Sequence, residues 1–154
     1  MGITGADIMD IRPMTIDDYD KLYALWMSCK NMGFNDLDDS RDGIERFLRR
    51  NPDTSFVAIE NDAVIGVVLG GHDGRRGYIY HTCVAEDHRK QGIASKLVEA
   101  CLDSMKRNGI NKTALLVFGR NEEGNRFWEK IGFSERPDLI YRNKELKKLK
   151  RIDT

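Results

Sequence analysis

The 154-residue chain has little proline, no net charge and no long hydrophobic run. It contains three prolines, and its 25 basic side chains balance its 25 acidic ones. The lack of a net positive charge argues against nucleic acid or an anionic membrane as a partner. Apolar runs such as Ala63 to Leu69 are far shorter than the roughly 20 residues of a membrane-spanning helix. Length and composition therefore predict one globular domain over residues 1–154, with its core between about residues 8 and 146.

Cysteine is also scarce, with Cys29, Cys83 and Cys101 far apart in the sequence. Their odd number and the lack of a CxxC pair argue against both a metal cluster and a disulfide framework. His72 and His88 have only turn residues around them, which favours surface positions and no metal. The first ten residues lack the basic start of a secretory signal. We expect a cytoplasmic protein with reduced cysteines.

Hydrophobic periodicity predicts a strand, two helices, three strands, a helix, a strand, a helix and final strand material. The turn pairs Asn61-Asp62 and Asp73-Gly74 should join the middle strands into an antiparallel meander. This order predicts an α/β (α+β) fold, with a mixed, mostly antiparallel sheet flanked by helices. The predicted segments are a strand at residues 8–12, a helix opening at Thr15, a helix capped by Ser40, strands at 56–59, 64–69 and 78–84, a helix at about 92–107, a strand at 112–118, a helix at 125–131 and strand material at 133 and 139–144.

The turn after the fourth predicted strand is suited to binding an anion. The first amides of a helix have no intrahelical partner and lie at the positive end of its dipole. Gly92 lets the backbone approach a ligand closely, and Arg89 and Lys90 add positive charge. A basic first turn is unfavourable in an ordinary amphipathic helix unless an anion is bound there, so we prefer the binding interpretation. The chain lacks GxxxxGK[ST], and this turn lacks GxGxxG, which disfavours ATP and NAD.

Two stretches of the chain carry a family resemblance. Arg89-x-x-Gly92-x-Ala94 directly follows the fourth predicted strand, and the segment from Asn121 to Phe133 contains an aromatic pair followed by Glu-Lys-Ile-Gly-Phe. Both stretches, together with the order of the elements, resemble the GNAT-type N-acetyltransferase superfamily. The resemblance implies a GNAT-like acyl-CoA N-acyltransferase fold and an enzyme that uses acetyl-CoA and no metal.

The resemblance also implies a set of cofactor-binding residues. The amides that follow Arg89 should hold the pyrophosphate, and the backbone at the end of the fourth strand should pair with the pantetheine arm as an added strand would. Asn121 corresponds to a residue that hydrogen-bonds that arm. The cofactor-binding residues expected on this basis are Cys83, Val84, Arg89, Lys90, Gln91, Gly92, Ile93, Ala94, Ser95, Asn121 and Trp128.

The expected reaction is direct attack of a primary amine on the thioester in a ternary complex, which needs proton transfer and stabilisation of the leaving thiolate. Trp128 stands where relatives often carry a tyrosine acid, and an indole N–H is too weak an acid for that role. Another hydroxyl or water must then protonate the thiolate, unless it leaves unprotonated. A covalent acyl-enzyme on Cys83 is a weaker alternative than packing of that side chain.

The identity of the general base is also undetermined, because the fifth predicted strand contains no glutamate. Strand alternation places Tyr78, Tyr80 and Thr82 on one face and Ile79, His81 and Cys83 on the other. Tyr78 and Tyr80 align with acid–base positions of relatives, whereas His81 has the better intrinsic pKa for a base. Tyr80, His81 and Tyr78 are therefore the catalytic candidates, with a hydrogen-bonded core histidine as the alternative for His81.

The loop between the first two helices lines the acceptor side in the family, so its residues indicate which kind of acceptor to expect. This loop favours a cationic small molecule or a peptide N-terminus, although a solvated acidic loop is an equal alternative. A non-catalytic acyl-CoA sensor or interaction module is the alternative function, and a homodimer through a sheet edge or helix face is compatible with either. The acidic residues of the loop are Asp36, Asp38, Asp39 and Asp42.

Overall fold

The computed structural model of the protein describes residues 9–153, which form five strands and four α-helices. Ile8, the predicted first residue of the first strand, lies outside the described residues. The strands are β1 (Met9–Pro13), β2 (Phe56–Glu60), β3 (Ala63–His72), β4 (Gly77–Val84) and β5 (Thr113–Leu115). The helices are α1 (Tyr19–Ser28), α2 (Arg41–Arg50), α3 (Ile93–Arg107) and α4 (Glu122–Lys130).

The five strands form one mixed sheet in the order β1-β2-β3-β4-β5. Neighbouring strands from β1 to β4 run antiparallel, whereas β5 runs parallel to β4. The predicted meander and the mixed, mostly antiparallel sheet are confirmed. The parallel pairing of β4 and β5 uses α3 as its crossover, since parallel neighbours need a long connection.

The helices cover both faces of the sheet and form two cores. Helices α1 and α2 pack on one face, where Leu22 and Trp26 are fully buried. Helices α3 and α4 pack on the other, where Leu97 and Cys101 are fully buried. The helical spacing from Leu22 to Cys29 thus predicted the buried stripe of α1 correctly.

Helix α3 lies close to the sheet because two of the residues beneath it are glycines. A Cβ on Gly70 would lie 2.5 Å from the Cys101 sulfur, and one on Gly77 would lie 2.5 Å from the Met105 sulfur. Both distances are too short for real contacts, so larger residues would push the helix away from the strands.

The entry into α1 is held by a bidentate ion pair. Arg12 donates to both oxygens of Asp18 at 2.9 and 2.8 Å, and the Thr15 amide donates to the same carboxylate at 2.9 Å. Burial by itself raises the pKa of Asp18, but the bonds from Arg12 and Thr15 outweigh it and lower the pKa below its usual range. The predicted helix opening at Thr15 is confirmed, with a single 3-10 turn before α1.

The C-terminal part differs from the prediction. Strand β5 covers only Thr113–Leu115 of the predicted 112–118, and no strand forms at 133 or 139–144 within the described residues. Leu139, Ile140 and Tyr141 favour a strand by residue type, but they are 60–78% exposed and pair with none of the described strands. Instead, the chain end pairs with the loop between α1 and α2, through an antiparallel bridge between Arg151 and Asn35.

Helix α4 begins earlier than the predicted residue 125. The side chain of Asn121 accepts a hydrogen bond from the Gly124 amide at 2.9 Å and caps the helix, which therefore starts at Glu122. An asparagine at the N-cap is a standard start signal. Asn121 is thus a helix cap as well as an expected ligand-binding residue.

Candidate functional site

A cavity of about 790 Å³ opens where β4 and β5 separate. Strand β5 pairs only with Gly77, Tyr78 and Ile79, so in the described sheet the later part of β4 has no neighbour on that side. The cavity is lined by this free end of β4, the loop after it, the start of α3, residues of α4 and the segment from Ser28 to Met32. Backbone groups of a sheet edge are thus available to a ligand.

Ten of the eleven expected cofactor-binding residues line this one cavity, and Gln91 is the exception. The residues come from β4, the following turn, α3 and α4, so tertiary folding has assembled them. Their role in binding acetyl-CoA stays a prediction.

The start of α3 is built as an open cradle. Lys90 and Gly92 both have left-handed backbones, with φ of 63° and 77°. None of the described side chains caps this helix, and its first turn contains no acidic residue. Because Lys96 makes the first helical hydrogen bond, to the Gly92 carbonyl, the amides of the first turn remain available to an anion.

Arg89 lies across the end of β4 inside this cavity. Its Nε donates to the Val84 carbonyl at 3.1 Å, and a terminal nitrogen lies 4.0 Å from the Cys29 sulfur. A ligand amide that paired with the Val84 carbonyl would have to replace the hydrogen bond from the Arg89 Nε. The guanidinium also brings a positive charge to the inner part of the cavity.

Cys29 and Cys83 form a disulfide on the cavity wall, across 54 residues of sequence and with their Cα atoms 6.8 Å apart. The prediction that all cysteines are reduced is therefore wrong for this pair. The odd number and wide spacing of the cysteines do not indicate this pairing, because the end of α1 meets the end of β4 only in the folded chain. Cys101 is free and buried, and burial raises its thiol pKa to about 12.

His81 lies in the core beneath α1 and is not among the cavity-lining residues that the structure describes. Its Nε2 is 2.7 Å from a carboxylate oxygen of Asp39, and both side chains are buried. Its ring packs edge-on against Phe34 and Trp26, with centroids 4.5 and 5.4 Å away. Asp39 therefore holds the α1–α2 loop against β4 and is not free to attract an acceptor.

A β-bulge changes the faces of β4. The register between β3 and β4 shifts so that Leu69 pairs with His81 but Gly70 pairs with Ile79. Ile79 consequently packs in the core under α3, whereas Cys83 belongs to the core under α1. The predicted shared face for Ile79, His81 and Cys83 is wrong, since the bulge breaks the two-residue alternation.

Tyr78 and Tyr80 stand side by side outside the cavity, with ring centroids 4.5 Å apart. Tyr80 is 52% exposed and packs edge-on against Phe47 of α2. Burial raises the pKa of Tyr78 to about 12, and burial followed by the nearby charge of Asp38 raises that of Tyr80. At neutral pH both phenols are therefore protonated and are hydrogen-bond donors, not bases.

Thr82 is a further candidate site residue, beyond those predicted from the sequence. It lines the cavity, and its buried hydroxyl oxygen has no hydrogen-bond partner among the described residues. A buried hydroxyl without a partner costs free energy, and a ligand in the cavity offers it a partner. The sequence predicts the position of Thr82 near the end of this strand, but it does not indicate that the hydroxyl lacks a hydrogen-bond partner.

The acidic loop is mostly committed to internal bonds. Asp36 accepts a hydrogen bond from the Lys150 amide at 2.7 Å, and Asp39 is paired with His81. Asp38 is exposed and accepts only from the Asn35 side chain among the described residues, while Asp42 is exposed at the start of α2. Of the four carboxylates expected to attract a cation, Asp39 is buried, and Asp36, Asp38 and Asp42 remain exposed.

Among residues 9–153, no group of three or more histidine, cysteine or acidic side chains is arranged to hold a metal ion. None of the helices in the same residues is long and apolar enough to cross a membrane.

Residues 19–133 match the model of a family described as the acetyltransferase (GNAT) family. An acetyltransferase of Sodalis glossinidius is 31% identical over 138 residues, which are 90% of this chain and 96% of that protein. An acetyltransferase of Pectobacterium atrosepticum is 33% identical over the same shares. Among solved structures, AAC(6')-Iy in complex with the bisubstrate analogue CoA-S-monomethyl-acetylneamine has a TM-score of 0.72 at 22% identity, covering 90% of this chain and 99% of that one. The structural likeness shows a common fold.

Proposed function

Because the chain belongs to the GNAT acetyltransferase family, we propose that it transfers the acetyl group of acetyl-CoA to a primary amine by direct attack in a ternary complex. One observation carries this proposal. The open start of α3 and the unpaired end of β4 meet in a single cavity, which suits an anionic head and an extended amide-bearing arm.

The cradle holds the pyrophosphate of acetyl-CoA in this proposal. The first-turn amides of Ile93, Ala94 and Ser95 donate to it, and Lys90 and Lys96 supply positive charge. The free edge of β4 binds the pantetheine arm as an added strand. Asn121 uses its side-chain oxygen to cap α4, so only its amide nitrogen remains to donate to that arm.

Thr82 replaces the missing tyrosine acid in this mechanism. Its hydroxyl is too weak an acid to protonate the thiolate fully, but it can donate a hydrogen bond to the charge that develops during transfer. Tyr78 and Tyr80 are protonated donors on the acceptor side of β4. His81 positions the α1–α2 loop through Asp39, and the amine loses its proton to water.

We propose a cationic amine as the acceptor. Asp38 and Asp42 keep exposed carboxylates on the α1–α2 loop and at the start of α2. Asp38 is also close enough to Tyr80 to raise its pKa, and the ring face of Tyr80 attracts cations. A small polyamine, a basic amino acid or a peptide N-terminus has the required charge. Spermidine should therefore be acetylated more efficiently than neutral amino acids, and the preference should shrink in the Asp38→Asn/Asp42→Asn variant.

The experiment is a calorimetric titration with acetyl-CoA, with dephospho-CoA and ATP as controls, followed by a panel of amines monitored through CoA release. Selective binding of acetyl-CoA with turnover supports the proposal. Failure to bind acetyl-CoA would contradict it. Binding without turnover of any amine would instead support the non-catalytic acyl-CoA sensor, which the presence of Trp128 in place of a tyrosine favours.

Thr82→Val tests the mechanism against Thr82→Ser as the matched control. The valine variant should lose about 100-fold in kcat, the size of effect expected from losing one preorganised donor, with little change in KM for acetyl-CoA. The serine variant keeps the hydroxyl and should keep most of the activity. Equal activity of the two variants would remove Thr82 from the mechanism.

The proposed cytoplasmic location bears on the disulfide. Disulfides in that compartment are rare and usually transient, catalytic or redox-sensing. The Cys29–Cys83 bond would then be expected to respond to thiols.

A further inference from the structure

The Cys29–Cys83 disulfide lies within reach of a ligand in the cofactor cavity. Both cysteines line the cavity, Cys29 at the end of α1 and Cys83 on the strand edge that we assign to the pantetheine arm. Thr82 and Val84, the neighbours of Cys83 on β4, line the cavity as well. A ligand that binds there with a free thiol brings that thiol into the same enclosed space as the disulfide.

The two sulfurs have different surroundings. A guanidinium nitrogen of Arg89 lies 4.0 Å from the Cys29 sulfur, and a positive charge stabilises a thiolate. The Cys83 sulfur faces the Leu25 carbonyl oxygen at 3.8 Å, and an oxygen acceptor does not stabilise a thiolate. Cys29 is therefore the better leaving group, and an incoming thiolate is directed to Cys83.

We propose that Cys83 is a site of covalent modification by free coenzyme A, the thiol that acetyl transfer releases. This inference rests on the proposed function, because coenzyme A must occupy this cavity. The thiol of coenzyme A loses its proton to solvent, and its sulfur forms a bond to the Cys83 sulfur. The Cys29–Cys83 bond breaks, and Cys29 leaves as a thiolate beside Arg89. One disulfide is consumed and one is formed, so no external oxidant or reductant takes part.

The adduct has a functional consequence. A coenzyme A molecule attached to Cys83 occupies the acetyl-CoA cavity, so the modified protein cannot bind a new acetyl donor. Attack by the Cys29 thiolate or by a second thiol releases it again. Acetyl-CoA has no free thiol and cannot form the adduct, so it protects the site.

The test begins with the full chain prepared without reductant. Thiol titration in denaturant should find one free thiol, that of Cys101, and finding three would overturn the proposal. The protein is then incubated with coenzyme A, and mass spectrometry without reductant should find one coenzyme A per chain, on the peptide containing Cys83. Excess acetyl-CoA should slow the reaction.

Glutathione at the same concentration separates a bound reactant from general thiol exchange. Coenzyme A should react faster by about tenfold or more, because binding in the cavity raises its effective concentration. Gly92→Trp should reduce the coenzyme A rate to that of glutathione. Equal rates in the wild-type protein, or an adduct only on Cys101, would overturn the proposal.

Two further measurements separate this inference from the proposed function. The Cys29→Ser variant has no disulfide to exchange and should form no adduct with coenzyme A when oxidants are excluded. If calorimetry shows that acetyl-CoA does not bind, the proposed function fails. If acetyl-CoA binds but the oxidised protein forms no coenzyme A adduct, only the modification site fails.

Discussion

Replacing Gly92 with tryptophan should abolish acetyl-CoA binding and leave the fold intact. Gly92 has a φ of 77°, and a residue with a side chain costs about 1–2 kcal/mol in this left-handed region. A Cβ at this position meets no atom of the described protein within 4 Å, so no clash adds to that cost. For a chain of this length the expected fall in melting temperature is about 2–8 °C, well short of unfolding.

The effect on binding should be much larger. The indole would occupy the space in front of the first amides of α3, where the pyrophosphate is proposed to bind. Each hydrogen bond to a charged group contributes about 1.5–3 kcal/mol, which corresponds to a loss of about 10- to 150-fold in affinity per bond. Losing two or more would take the affinity below the range of ordinary calorimetry. The assay pairs calorimetry with acetyl-CoA and thermal unfolding of the same samples.

Gly109→Trp is the matched control. Gly109 follows the other end of α3, has a φ of 80° and likewise has no described atom within 4 Å of a built Cβ. It should show the same modest loss of stability and unchanged affinity. Wild-type affinity in Gly92→Trp, or equal losses of affinity in both variants, would refute the cradle.

Three further outcomes follow from the core. The lowered pKa of Asp18 means that its ionised form stabilises the fold fully above the unfolded-state pKa of about 3.9, and that this contribution disappears as the pH falls through the folded-state pKa. In urea unfolding at neutral pH, the free energy of unfolding of Asp18→Asn should therefore be about 1–3 kcal/mol below that of wild type. This difference should disappear in acid. Gly70→Ala should lower the free energy of unfolding by about 1–3 kcal/mol, because the added methyl group meets the Cys101 sulfur. Combined with Cys101→Ala, it should destabilise the protein by less than the sum of the two single variants. Additive effects would contradict the close approach of α3. His81→Ala should lower the free energy of unfolding by about 3 kcal/mol, because one oxygen of the buried Asp39 carboxylate loses its partner and only the bond from the Asn35 amide remains. The pH dependence of kcat/KM should not change; loss of its acidic limb would show that His81 takes part in proton transfer.

Local signals predicted most of the architecture. The helix at about 92–107 agrees closely with α3, because its apolar spacing and the glycines at both ends are contained in one short segment. The meander likewise depends on the turn pairs Asn61-Asp62 and Asp73-Gly74, each between two β-rich runs. The same holds for the turn from Arg89 to Gly92, whose residue pattern singled out the cavity-lining segment.

Other features depend on residues that are distant in sequence. Nothing near Asp39 indicates that it pairs with His81, 42 residues later, and it therefore looked like one more solvated acid. The bulge at Tyr80 arises from pairing with β3, so alternation along β4 alone wrongly predicts that Ile79 and His81 share a face.

By itself, the sequence determined the order of the elements, the basic turn at the start of α3 and the family resemblance, because each depends on contacts within a few residues. Tertiary structure alone decided the Cys29–Cys83 bond, the buried Asp39–His81 pair and the isolation of the Thr82 hydroxyl. The first two features arise where α1, the α1–α2 loop and β4 pack together, and the third where β5 separates from β4. The packing of segments depends on their mutual geometry, which no local pattern contains.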